Sequence, residues 1–405
     1  LVRPGGGSAL PGLVLSKLAP NLVYKTLGSF EQGLVVVTGT AGKSTTTKML
    51  VAIARAHGLD VFTNPSTANI EQGFFSTIIK QGNLFGQVPG SIAILEMDEG
   101  HAAQVVVNVK PKVSVILNVF EDQLDRFIDP ALVRDKLLAV AKATTGTVLL
   151  NADDQNCLLI AAEISQSETK FFGIASEVSN AAKSKLNYAP TYLAELPAPA
   201  VSAEVVGLDE RNVTVLIADK SVSFDLPSRG LHFALDAVAA LAAAQNILGE
   251  SFDLVKASKV LHELPPVFSR GEIREVNGEQ VEFILVQNPP SMQLNLDNLS
   301  SELDQVFFAI GRDVHDPSWM WTVDLANLKH VSVVTGFNYA DAALLLSYSE
   351  IPVESVEADY FKAIDEFFKL PKPKNGIKTV IYSADSMRRL RRHMGFTDPE
   401  DVQRV

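Results

Sequence analysis

The sequence is poor in cysteine, in positive charge and in long apolar runs, and each shortage removes a class of function. Cys157 is the single cysteine among 405 residues, so no disulfide within the chain and no cysteine-based zinc site can form. Its neighbours, Asp154 to Ile160, read as an apolar helix, where a buried structural thiol fits better than a reactive one. The formal net charge of −12 lacks the basic footprint that nucleic-acid binding needs. No stretch of 18 or more apolar residues occurs, so no transmembrane helix is expected. Residues 1–27 carry scattered apolar side chains broken by Pro4, Pro11 and Pro20, without the apolar core of a signal peptide.

What is present is material for packed cores, with 47% hydrophobic and 20% charged residues, in a chain long enough for two or three domains. From residue 33 short apolar runs alternate with helical patterns, the mark of an α/β domain with a mostly parallel sheet. Strands are predicted at 34–38, 61–64, 92–97, 113–119 and 148–151, and helices at 43–57, 70–80 and 130–143. Residues 201–226 read instead as alternating strands with turns. Helices at 231–248 and 252–262 follow. The pattern restarts near Pro265, with strands predicted at 281–287, 305–310, 331–335 and 379–382. This gives a larger α/β domain over 1–265, with a lead-in at 1–32 and a β-rich part at about 198–228, and a smaller α/β domain over 266–405.

The strongest chemical signal is Thr38-Gly39-Thr40-Ala41-Gly42-Lys43-Ser44-Thr45. It lies between a predicted strand and a predicted helix, the context a phosphate loop requires. Glycines let the backbone bend around phosphate oxygens, and N–H groups at the helix start face the anion. Lys43 would reach the outer phosphates and the Ser44 hydroxyl would ligate Mg²⁺. A hard carboxylate ligand is also needed. Glu96, ending the run Ile92–Glu96, is the first choice, with Asp98 and Glu99 close behind. The segment Asn118 to Phe127 ends another strand and is dense in carboxylates, including Asp122 and Asp125.

The loop spacing resembles the TGTxGK[ST] loop shared by Mur ligases and folylpolyglutamate synthases. Further segments resemble, in order, the MurT family of Mur ligases, the synthetase subunits of lipid II isoglutaminyl synthase. These are Gly6–Gly12, Asn64 with Ala68-Asn69-Ile70, Asn118–Phe127, Asn151–Asp154, Ser269–Glu272, Val286–Pro289, and Gly311–Val314 with Ser318–Trp321. The resemblance implies a Mur-type central ATPase domain, with a mostly parallel sheet and a small antiparallel subregion, followed by a Rossmann-like C-terminal domain. It implies ATP contacts from Gly39 through Thr45, Asp236, Arg270 and Asn288, Mg²⁺ at Ser44 and Glu96, and substrate contacts at Asn64 and Asn69.

The chemistry implied is ATP-dependent amidation of the D-glutamate α-carboxyl of the lipid II stem peptide to D-isoglutamine, with Lys43 acting in phosphoryl transfer. The ammonia would come from a GatD-like class I glutaminase subunit, and Asp313, or alternatively Asp316, would meet that partner and orient its catalytic histidine. A cytoplasmic protein working at the inner face of the plasma membrane follows. The departures are specific. Gln123 replaces a metal-binding histidine of most Mur ligases. The GxHNxxN helix signature reads Gly230 to Asp236, with Phe233 and Asp236 at the asparagine positions. The four-cysteine zinc ribbon of many MurT proteins is missing, so no zinc is expected. Alternative readings are a free-standing Mur or folylpolyglutamate-type amino acid ligase, and a nucleotide-binding subunit that has lost catalysis.

Overall fold

The computed structural model describes residues 19–65, 71–83, 87–121, 129–182, 186–265, 270–299 and 303–396. Two sheets organise it. The larger has nine strands: β1 Leu34–Thr38, β2 Val61–Phe62, β3 Ile92–Glu96, β4 Val113–Ile116, β5 Thr147–Asn151, β6 Glu168–Ile174, β7 Ala203–Asp209, β8 Asn212–Ile217 and β9 Lys220–Asp225. Their order is β2-β3-β1-β4-β5-β6-β7-β8-β9. Neighbours are parallel from β2 across to β7, and the β7-β8-β9 meander is antiparallel. This is the expected mostly parallel sheet with an antiparallel part.

β1, Leu-Val-Val-Val-Thr, is buried along its whole length, as a central parallel strand covered by helices on both faces must be. Beside it the helix Lys43–Ala56 packs against the helix Leu231–Leu248. The latter is buried almost all round, and alanines at 234, 237, 239, 240 and 242–244 let its neighbours approach closely. With its short extension to Ser251 it is long and apolar enough to cross a bilayer, but it is a core helix of this domain.

The second sheet comprises β10 Arg270–Val276, β11 Glu279–Leu285, β12 Val306–Ile310, β13 Val331–Gly336, β14 Val353–Val356 and β15 Lys378–Tyr382. Its order is β10-β11-β15-β12-β13-β14, parallel except for the β10–β11 hairpin. The two units meet through a few specific contacts. Arg229 of the first unit pairs with Glu282 of the second at 3.5 Å. Burial raises the Glu282 carboxyl above its ordinary range, while Arg229 pulls it back. A Cβ on Gly271 would lie 3.1 Å from the Ser228 hydroxyl. The carboxyl ends of β1 and β3 and the segments after β4 and β11 border one cleft between the units, where ligands of open parallel sheets bind.

Candidate functional site

The cleft encloses about 280 Å³ and is lined by Thr40–Thr45, Glu96, Asp98, Glu99 and Asn118 from the first unit, and by Gln287, Asn288 and Asn295 from the second. Its floor is the loop after β1. Gly39 and Gly42 have φ of +131° and +83°, a region costly for residues with a Cβ. The space is closed as well. A Cβ on Gly39 would stand 3.0 Å from Asn118 N, and one on Gly42 would stand 2.2 Å from Asp236 Oδ1.

The helix that follows begins at Lys43, with Gly42 as its cap residue, no capping side chain and no acid in its first turn. No side chain caps this end, and the helix dipole there favours an anion. Ser44 and Thr45 sit at the same end and line the cleft. Lys43 folds over the loop, donating to Gly39 O at 2.5 Å and Thr40 O at 3.0 Å. It also approaches Glu99 Oε2 at 3.4 Å. Glu99 is 2% exposed, and the lysine near it offsets the cost of burying that carboxylate.

Glu96 ends β3 and is buried in the cleft. Asn64 grips its backbone, accepting from Glu96 N at 3.0 Å and donating to Glu96 O at 3.0 Å. Asp98 caps the helix Glu99–Val105 by accepting from Gly100 N at 3.2 Å. The donor set suits Mg²⁺ held with nucleotide phosphates. Ser44 and Glu96 supply hard oxygens at one cleft, and Mg²⁺ commonly takes one or two protein ligands, leaving the rest to phosphate and water. Among the described residues no group of three or more His, Cys, Asp or Glu is arranged to hold a metal alone.

Several expected residues converge here and others do not. Asp236 lies against Gly42 and accepts from the Thr46 hydroxyl at 3.2 Å, so it braces the loop as well as lining the cleft. Asn288 lines the opposite wall. It shares a capping box with Ser291 at the start of the helix Pro289–Asp297, accepting from Ser291 N at 3.0 Å. Asn69, Asp122, Gln123 and Asp125 lie outside the described residues, as does the opening Gly6–Gly12, and Arg270 is described in its backbone only.

Asp313 does not line the cleft. Its Oδ1 accepts from the Ser383 hydroxyl at 2.7 Å and Asp385 N at 2.9 Å, and its Oδ2 accepts from Ala384 N at 2.9 Å. It thus caps the helix Ala384–His393 from another loop. Asp316 caps the short helix Pro317–Thr322 through Ser318 N at 2.9 Å, and hydrogen bonds from Ser318 hold its carboxyl below the usual range.

Sequence reasoning gave Asn118 no role of its own, yet it binds Ala41 at both backbone atoms. Its position at a strand end facing the loop was the available signal. Behind it, Asp154 accepts from Val119 N at 2.6 Å and caps the helix Gln155–Ala162 through Asn156 N. Burial pushes the Asp154 carboxyl up to about 6, against the pull of those two N–H donors. Asp153 is likewise pushed up to about 6 by burial, with a bond from Ile174 N opposing. Burial also raises the Cys157 thiol well above its ordinary value, which suits a structural role.

Residues 37–244 match the Mur ligase middle domain and residues 285–384 the MurT ligase C-terminal domain. Among curated proteins, the chain is 26% identical to the lipid II isoglutaminyl synthase (glutamine-hydrolyzing) subunit MurT of Streptococcus pneumoniae (strain ATCC BAA-255 / R6), covering 88% of this chain and 85% of the relative. The protein of that name from Staphylococcus aureus (strain COL) is 24% identical, with 88% and 86% covered. Among solved structures, MurF from Acinetobacter baumannii superposes with a TM-score of 0.70 at 18% identity, covering 95% of this chain and 80% of that one. A pseudomurein peptide ligase type C from Methanothermus fervidus gives 0.68 at 16% identity, with 94% and 80% covered. The phosphate loop, the sheet around it and the domain matches agree: the chain belongs to the Mur ligase family, with a C-terminal domain of the MurT type.

Proposed function

We propose that the chain is the synthetase subunit of a lipid II isoglutaminyl synthase, an ATP-dependent C–N ligase of peptidoglycan synthesis. The observation that carries this is the pairing of a Mur-type phosphate loop with a MurT-type C-terminal domain across one cleft. ATP with Mg²⁺ supplies a phosphoryl group that turns a carboxylate, a poor acyl donor, into one with a leaving group.

This chain's residues bind and orient. The N–H groups at the start of Lys43–Ala56 hold phosphate oxygens, and Lys43, now lying on Gly39 and Thr40, moves to the transferring phosphoryl group and neutralises its growing charge. Ser44 and Glu96 hold the metal. Asn64 and Asn69 are assigned to binding the acceptor. The D-glutamate α-carboxylate attacks the γ-phosphorus and ADP leaves. Ammonia then attacks the acyl carbon, phosphate departs, and D-isoglutamine remains.

Ammonia is scarce at neutral pH, and the buried Cys157 is no glutaminase nucleophile. The supplier on this reading is a separate class I glutaminase subunit of the GatD kind, and both subunits work in the cytoplasm against lipid II at the membrane face. Support for a partner-facing surface comes from the C-terminal unit. Arg312, next to Asp313, stacks 5.2 Å over the exposed Phe337, and exposed Trp321 and Tyr348 meet edge-on at 5.5 Å. Aromatic and arginine side chains of this kind anchor protein interfaces. Asp313 is assigned to orient the partner's histidine.

Mass spectrometry of lipid II incubated with this chain, the glutaminase, ATP, Mg²⁺ and glutamine tests the proposal. A loss of about 1 Da per stem peptide, the exchange of a carboxyl for a carboxamide, is the expected result. Addition of a whole amino acid would replace it with a free-standing amino acid ligase. Unchanged lipid II, with no ATP turnover, would leave a nucleotide-binding subunit.

A further inference from the structure

A loop with two left-handed glycines gains much conformational freedom when unbound, so something must hold it ready for an anion. Three of the hydrogen bonds at residues 40 and 41 converge on one residue. Ala41 N donates to Asn118 Oδ1 at 2.8 Å, Asn118 Nδ2 donates to Ala41 O at 3.1 Å, and Thr40 N donates to Asn118 O at 3.1 Å. Phe120 N completes the grip by donating to the Thr40 hydroxyl at 3.2 Å. Asn118 is 5% exposed, so these bonds work in a setting where water competes poorly.

The residues around Asn118 are themselves fixed from behind. Asn151 Nδ2 donates to Leu117 O at 3.0 Å, and Val119 N donates to Asp154 Oδ2 at 2.6 Å. Ala189 N donates to Val119 O at 2.9 Å, and Phe120 stacks on Tyr188 with ring centres 5.2 Å apart. The grip on the loop is therefore anchored in the sheet.

We infer that Asn118 is a positioning residue for the nucleotide phosphates. A carboxamide carries a donor and an acceptor side by side, and Asn118 uses both on the backbone N–H and C=O of one residue, Ala41. Tying down the Ala41 carbonyl stops it from turning toward an anion. Tying down the Ala41 N–H leaves the N–H groups of the helix start as the phosphate donors. An aspartate of the same shape keeps the acceptor, loses the donor, and adds a charge next to the phosphate site. Asn118 does not touch the reacting atoms on this account; it acts through the loop.

The inference rests on the reading of the cleft as an ATP site, and one titration separates the two. ATP with Mg²⁺ is titrated calorimetrically into the wild-type chain, Asn118→Ala and Asn118→Asp, with thermal melting of each in parallel. Wild type should bind. Asn118→Ala should bind at least tenfold more weakly and Asn118→Asp more weakly again, while KM for the lipid-linked acceptor changes less than twofold in both. A role in folding alone would lower the melting temperature and leave the ATP affinity of the folded fraction unchanged, and that result overturns the inference. Affinities within twofold of wild type for both variants overturn it as well. If Asn118→Ala does not fold, the isosteric Asn118→Asp decides by the same criterion. A wild-type chain that fails to bind ATP overturns the reading of the cleft instead.

Discussion

Asn64 and Glu96 form a two-bond ring: the Asn64 amide accepts from Glu96 N and donates to Glu96 O, each at 3.0 Å. The ring fixes the end of β3 where the Glu96 carboxylate enters the cleft, so an asparagine expected to face substrate also sets the geometry of the proposed metal ligand.

Changing each partner should separate these roles. Glu96→Ala removes a hard oxygen ligand, and the Mg²⁺ concentration for half-maximal ATP turnover should rise about tenfold or more. Asn64→Ala leaves the carboxylate but loosens its backbone, so the same midpoint should rise by a smaller factor, about threefold. A normal Mg²⁺ midpoint in Asn64→Ala with a raised KM for the acceptor would give Asn64 to the substrate alone.

Lys43→Ala should cut ATP turnover by about 100-fold or more, the scale of losing one preorganised electrostatic contact at a transferring group. Lys43 lies on loop carbonyls, so its loss should change the circular dichroism spectrum little. It also leaves Glu99 without its 3.4 Å ion pair, so a modest drop in melting temperature is expected. Near-normal turnover in a folded Lys43→Ala protein would remove the lysine from phosphoryl transfer.

The fold was most legible where one local rule sufficed. The run Leu34–Thr38 is all apolar or β-branched, and it is β1 at the expected bounds. The helices Pro130–Ala143 and Leu231–Leu248 also have their expected limits, set by Asp129 with Pro130 at one start and Gly249 at the other's end. β6 was not foreseen, because Glu168-Thr169-Lys170 precede its apolar half and only its end is buried. β14, Val-Glu-Ser-Val, is a four-residue edge strand with too few residues for a period. At the site, the loop and Glu96 were readable from local spacing. The contacts of Asn118, Asp236 and Asp313 were not, since they join residues 77, 190 and 70 to 72 positions apart, and separation of that kind leaves no local pattern.

Asp154 makes stability depend on pH in an unusual direction. Its carboxyl is pushed from an ordinary 3.8 up to about 6, so the folded chain holds the proton more tightly than the unfolded chain. Its contribution is greatest below about pH 4 and is lost as pH rises through 6. Asp154→Asn removes that dependence but places an amide where Val119 N needs an acceptor, costing about 1–3 kcal/mol. Urea unfolding at pH 4.5 and 7.5 should show the gap between wild type and variant shrinking by about 2 kcal/mol at the higher pH. A gap independent of pH would mean that Asp154 stays ionised throughout.

Asp313 is already engaged within the chain, and that sharpens the test of its proposed role. Both oxygens accept from the start of the helix Ala384–His393, so removing the charge should cost about 1–2 kcal/mol of stability through lost capping and dipole stabilisation. A carboxylate can accept about four hydrogen bonds, and Asp313 receives three from the residues named, so its Oδ2 retains capacity for a partner's imidazole N–H. That contact would hold the histidine in the tautomer that activates a thiol. Asp313→Asn, assayed with the glutaminase present, should lose most glutamine-driven amidation and keep most of the activity supported by concentrated ammonium salt. A cap alone predicts parallel losses with both ammonia sources, tracking the fall in melting temperature. If Asp313→Asn affects both sources equally while Asp316→Asn is selectively defective with glutamine, the acid that serves the partner is Asp316. That acid caps the short helix Pro317–Thr322, further along the chain from Asp313.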